Sequence, residues 1–140
     1  MEQNIKTLNW EIPKMFLADV ESETHLMHGY LADGDKATVR VRITGDVACF
    51  AIRGPTAGVR RSEYEYPIPL AAQAMLQDLA VYPAIDKTHY SSESADTCGL
   101  ELFARENARL VLAELELGSE GETFKLLAWA GKGASADPRY

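Results

Sequence analysis

Along most of the chain, apolar and polar residues alternate with a period of two, in short runs broken by turn signals. Trp10 to Leu17 is the first such run. An irregular acidic stretch follows, then Leu26 to Leu31 and a turn at Asp33-Gly34-Asp35. Ala37 to Ile43 and Val47 to Arg53 flank Thr44-Gly45-Asp46, which reads as a hairpin connection. After a loop at Gly54-Pro55-Thr56-Ala57-Gly58, alternation resumes over Val59 to Ile68. Leu70 to Leu79 changes period: Ala71, Ala72, Ala74, Met75, Leu76 and Leu79 favour a helix with one apolar face. Strand patterns return at Ala84 to Tyr90, Thr97 to Phe103 and Arg109 to Leu117. Ser119 to Leu127 reads as a short helix, with Ser119 as N-cap and Glu122 three residues on. The tail from Trp129 to Tyr140 is irregular. About eight strands with a helix or two predict a mainly antiparallel α+β fold, for which a closed barrel is one solution.

The charged residues within these runs are placed two apart, so they share a face of their strand. Arg40 and Arg42 lie opposite Val39, Val41 and Ile43. Arg61, Glu63 and Glu65 lie opposite Tyr64, Tyr66 and Ile68. Lys87 and His89 form another such pair, as do Glu114 and Glu116 between Ala113, Leu115 and Leu117. Two arrangements satisfy this pattern. In one the sheet has a wet face that carries cross-strand Arg–Glu pairs. In the other the sheet closes and its charged side turns inward, where an eight-stranded barrel holds one small ligand. Arginine forks grip phosphate oxygens at two points, and carboxylates hold a hard divalent cation. Such a lined interior suits a polyphosphate with its metal. Periodicity does not choose between the two.

Composition narrows the function classes. A chain of 140 residues with 46% hydrophobic and 25% charged residues fits a single globular domain, 1–140. A net charge of −7 argues against broad nucleic-acid or anionic-membrane binding, while allowing a local cationic cluster for a small anion. The N-terminal run MEQNIKTLNW lacks the basic start and apolar region of a signal peptide. No apolar stretch approaches the ~20 residues of a membrane-spanning helix. Cys49 and Cys98 lack metal-ligand spacing and read as reduced, mostly buried thiols of a cytoplasmic protein.

The order of motifs adds what periodicity lacks. In sequence come EIPKMF from Glu11, HGY from His28, VRVR from Val39, AIRG from Ala51 and RSEYEYPIP from Arg61. IDKTHY from Ile85, GLELF from Gly99, AELEL from Ala113 and DPRY from Asp137 follow. This series resembles the CYTH or triphosphate-tunnel metalloenzyme family, whose members begin on ExExK and continue through RVR, RxExEYEIP, IEKTRY and AEIEL strands. The resemblance covers nearly the whole chain. It implies an eight-stranded antiparallel barrel with a few flanking helices, and hydrolysis of inorganic, thiamine or nucleoside triphosphates. It also implies Mg2+ or Mn2+ held by Glu11, Glu101, Glu114 and Glu116. Phosphate binding falls to Arg40, Arg42, Arg53, Arg61, Lys87 and His89, with Arg42, Lys87 and Glu116 as the catalytic set. Glu63 and Glu65 are implied as further tunnel-facing groups.

Several positions depart from the family pattern. Pro13 and Met15 replace the second Glu and the Lys of ExExK, and Pro67 stands for a further Glu. Gly99 and Leu102 replace acids, His89 replaces an Arg, and Lys132 with Gly133 replaces an acidic pair. Loss of one electrostatic group of this kind typically costs about 10²–10³ in rate, so the resemblance implies a weakened or altered activity. Met15, His28, His89 and Cys98 introduce soft or titratable groups, which opens a histidine base or a different metal. Three functions compete: a metal-dependent triphosphatase, a non-catalytic polyphosphate- or nucleotide-binding module, and a scaffold or homodimer subunit with a vestigial tunnel. The expected partner is a small phosphate-containing anion, bound by a monomer or homodimer.

Overall fold

A computed structural model describes residues 2–7, 20–55, 57, 61–91, 98–116, 123 and 133. Its strands are β1 (Glu2–Thr7), β2 (Ser22–Asp33), β3 (Thr38–Thr44), β4 (Val47–Arg53), β5 (Glu63–Ile68), β6 (Ile85–Ser91), β7 (Cys98–Phe103) and β8 (Val111–Glu116). One short helix, α1 (Ala74–Asp78), continues a 3-10 turn at Leu70–Gln73. The chain divides into two compact units, Thr24–Lys87 and Met1–Glu23 with Thr88–Tyr140. Strands β2 and β6 contribute residues to both.

In the Thr24–Lys87 unit, β2, β3, β4 and β5 pair antiparallel in that order. The β3–β4 connection is the two-residue turn Gly45-Asp46, with Thr44 paired to Val47. Gly45 sits at φ 57°, a left-handed conformation that costs a residue with a Cβ and costs glycine little. The apolar face of this meander is the one the alternation predicts. Val41, Ile43 and Ala48 are buried with Leu76 of α1, and Met27, Leu31, Phe50, Ile68 and Met75 pack against them. Burying each large aliphatic side chain contributes roughly 1.5–3 kcal/mol. Gly29 on β2 permits this packing, because a β-carbon there would stand 3.0 Å from Leu76 Cδ2. A register shift between Tyr30 and Ala32 makes Leu31 the extra residue of a bulge.

In the other unit, β1 pairs β8 and β8 pairs β7, both antiparallel. Leu100 and Glu101 are consecutive and both buried, as are Val111, Leu112 and Ala113. Consecutive burial means that both faces of β7 and β8 are covered, so neither is a wet face.

Several sequence expectations change. Strand β1, EQNIKT, carries no clear alternation; its ladder partner β8 makes it a strand. The expected Val59–Ile68 strand begins at Glu63, leaving Arg61 ahead of it. The expected Leu70–Leu79 helix is a 3-10 turn followed by five α-helical residues. Pro67 lies in β5, the last strand of its ladder, where a missing N–H is tolerated. The expected strand at Trp10–Leu17 (with Pro13 and Met15), the helix at Ser119–Leu127 apart from the exposed, non-helical Thr123, and the DPRY end lie outside the described residues. No described helix is long and apolar enough to cross a membrane.

Candidate functional site

The strand register of the Thr24–Lys87 unit assembles the basic face. Across β3, β4 and β5, one row reads Thr38, Arg53, Glu63; the next reads Arg40, Ala51, Glu65; the third reads Arg42, Cys49, Pro67. On β2, Tyr30 stands beside Arg40 and His28 beside Arg42. The small Ala51 and Cys49 occupy the centre of this face, and Ala51 is fully buried. The arginines cross it diagonally: Arg40 Nη2 lies 3.2 Å from Glu63 Oε1, and Arg42 Nη2 lies 2.6 Å from Glu65 Oε1. Arg53 donates from Nε to the same Glu63 oxygen at 2.8 Å.

This face is not simply in water. Arg40 is only 5% exposed and His28 4%, and Cys49 is a half-buried free thiol. Arg40 Nε is buried with no hydrogen-bond partner among the described residues. An unpaired buried donor of this kind costs about 1–3 kcal/mol, more when charged. A phosphate oxygen would satisfy it, since guanidinium offers its remaining donors in a planar fork. Burial, and next the like charge of Arg53, lower the Arg40 pKa from its ordinary value, while Glu63 opposes the shift.

Glu63 couples this network to pH. Burial pushes its carboxyl up, but the hydrogen bond and charge of Arg53, joined by Arg40, outweigh burial and hold it below its ordinary 4.5. A depressed carboxyl pKa stabilises the folded state at pH above the unfolded value, and that contribution is lost as pH falls through the folded value. The melting-temperature gap between the protein and Glu63→Gln is therefore expected to be widest above pH 5 and to close as pH falls below about 4. A gap that stays constant across this range would show that the Glu63 charge is not engaged.

The second cluster lies within the other unit. His89 on β6, Glu101 on β7 and Glu114 on β8 bring one ligand atom each to within 4.8 Å of one another. Glu101 is 3% exposed, and His89 Nδ1 stands 3.8 Å from its Oε1. Gly99 faces Glu114 across the β7–β8 ladder. A β-carbon on Gly99 would lie 2.8 Å from His89 Nε2, so the absence of a side chain there makes room for the imidazole. Buried carboxylates are paired or hold cations, and two carboxylates with an imidazole form a donor set that fits a divalent ion.

Similarity to known proteins now bears on both clusters. No family model matches the chain. It is 36% identical, over 93% of its length and 88% of the relative's, to an inorganic triphosphatase of Acetivibrio thermocellus. It is 30% identical, over 93% of its length and 92% of the relative's, to an inorganic triphosphatase of Nitrosomonas europaea. The chain belongs to the CYTH-like inorganic triphosphatase family. The crystal structure of an inorganic triphosphatase superposes with a TM-score of 0.67 at 26% identity, covering 100% of this chain and 92% of that one.

Within this triphosphatase-family chain, the structure groups Arg40, Arg42 and Arg53 with Glu63 and Glu65, and separately groups His89, Glu101 and Glu114. Lys87 lies half-buried on β6. Arg61 is exposed and precedes β5, so it does not share the strand face that alternation assigned to it. Glu116 ends β8 opposite Glu2 of β1; its side chain and the whole of Glu11 lie outside the described residues. The alternation of β2 alone does not place Tyr30 or His28 on the basic face. Nor does the β7 pattern show that Gly99 makes room for His89. The signal for all three is the cross-strand register, which one strand's alternation does not contain.

Proposed function

We propose that this protein is a metal-dependent phosphohydrolase that cleaves inorganic triphosphate, and that residues 1–140 act as one tunnel domain. The observation that carries this reading is the group of Arg40, Arg42 and Arg53 on successive rows of one sheet face, with a buried Arg40 donor that has no partner among the described residues, in a chain of the inorganic triphosphatase family. Phosphoryl transfer asks a protein mainly for positioning and for stabilisation of charge on the phosphoryl oxygens. The arginines do both, exchanging their Glu63 and Glu65 contacts for substrate oxygens. Arg40, Arg42, Arg53 and Lys87 bind the phosphates, with Arg42 and Lys87 aligned on the phosphoryl group under attack. Water adds to the terminal phosphorus, the phosphoanhydride bond breaks, and phosphate and pyrophosphate leave.

Glu101 and Glu114 fit a divalent cation, with Glu11 and Glu116 as further ligands on the family pattern. Mg2+ or Mn2+ bound there would neutralise oxygen charge and acidify a water ligand. A closed eight-stranded barrel is the architecture this reading requires. Its setting is the cytoplasm, with no nucleic acid or membrane as partner. Pro13 and Met15 at usually charged positions favour one competing reading, a polyphosphate- or nucleotide-binding module without turnover.

Phosphate release from tripolyphosphate separates the two. Hydrolysis that requires Mg2+ or Mn2+ and stops in EDTA is the expected result. Tripolyphosphate that raises the melting temperature in EDTA but is never hydrolysed, with either metal, would make the protein a binding module.

A further inference from the structure

We infer that His89 is itself a metal ligand, and that His89, Glu101 and Glu114 form a mixed nitrogen–oxygen site selective for a transition-metal dication over Mg2+. The inference rests on the metal-dependent reading above and adds the identity of one ligand and the class of ion.

Three observations support it. The imidazole and both carboxylates present ligand atoms within 4.8 Å of one another. Three donors held at about 2.0–2.2 Å around one ion stand at most about 3.8 Å from one another, so the cluster closes on an ion with side-chain motions of up to about 1 Å. Glu101 is buried and Glu114 half-buried, so an ion held between them would be shielded from water, where attraction to the two carboxylates is stronger than at an exposed site. Finally, Gly99 sits directly across the ladder from Glu114, and a β-carbon there would collide with the imidazole. The histidine and the glycine work as a pair: the first supplies nitrogen, and the second supplies the space that lets it reach the carboxylates.

The donor set decides the selectivity. Mg2+ takes oxygen ligands, demands near-ideal octahedral geometry and keeps several waters, so a fixed imidazole gains it little. Mn2+, Fe2+, Co2+ and Zn2+ accept imidazole, with affinity rising from Mn2+ through Co2+ to copper and falling again at Zn2+.

The test uses the full chain with Mn2+ as probe and reads pulsed EPR rather than turnover. Bound Mn2+ is expected to show nitrogen modulation that changes from the 14N to the 15N pattern when histidine alone is 15N-labelled. His89→Gln should abolish it and weaken Mn2+ binding at least about ten-fold, while Mg2+ binding changes less than about three-fold. Gly99→Val, which leaves all three ligands in the sequence, should produce the same loss by displacing the ring. Circular dichroism confirms that each variant is folded, and the labelled parent protein answers the question if one is not. Absence of histidine nitrogen coupling in the parent protein, coupling that persists in folded His89→Gln, or no Mn2+ binding at all would overturn the inference. Hydrolysis of tripolyphosphate with Mg2+ in the absence of histidine coupling would overturn it while leaving the proposed function standing. Histidine coupling in a protein that never hydrolyses tripolyphosphate would establish the site and sink the hydrolase reading.

Discussion

Arg40→Ala is expected to lower kcat/KM for tripolyphosphate by about 10²–10³, the cost typical of removing one preorganised electrostatic group. Three features single out this arginine. It is buried, it crosses the basic face toward Glu63, and its Nε has no partner among the described residues. Stability should suffer much less than activity. Glu63 keeps its contact with Arg53 after the substitution, so no carboxylate is stranded without a cation. Arg40→Lys retains the charge but not the planar fork, and should recover only part of the lost rate. Steady-state kinetics beside thermal melts make the comparison. A variant that hydrolyses tripolyphosphate within three-fold of the parent would remove Arg40 from the phosphate site.

Removing the acidic cluster should have the largest effect. Glu114→Ala is expected to reduce phosphate release by about 10²–10³, and the Glu101→Ala, Glu114→Ala double variant to bring it to background. The two carboxylates approach one another on neighbouring strands, and a cation shared between them depends on both. Their effects should therefore be far from additive, since groups that act as a unit fail as a unit. Raising the metal concentration should partly rescue the single variants and not the double one. If the double variant keeps a tenth of the parent rate, these residues do not hold the metal that hydrolysis uses.

The split between the legible and the hidden parts of this molecule follows the range of the interactions. The alternation of Val47–Arg53 matches the bounds of β4, and the turn at Gly45-Asp46 lies within the expected Thr44-Gly45-Asp46 connection, with Thr44 itself the last residue of β3. These are local signals, in which a two-residue period and a turn residue suffice. The same period placed Arg40 and Arg42 on one face and Val41 and Ile43 on the other, and burial of Val41 and Ile43 agrees. Strand β1 has no local signature, because EQNIKT has no apolar face of its own; hydrogen bonds to a strand more than a hundred residues away hold it extended. Arg61 was assigned to a strand face that begins only at Glu63, since alternation continues past the point where pairing starts.

By itself, then, the amino-acid order determined which residues alternate, where the hairpin turns and which charges share a strand face. The order of its motifs also pointed to the family. Tertiary structure decided what those charges meet. Only pairing across three strands brings Arg40 to Glu63 over Ala51, and only the β7–β8 register sets Gly99 opposite Glu114 with the His89 ring against it. The physical reason is that a side-chain period fixes direction relative to one strand, whereas desolvation and charge pairing depend on neighbours brought in from elsewhere in the chain.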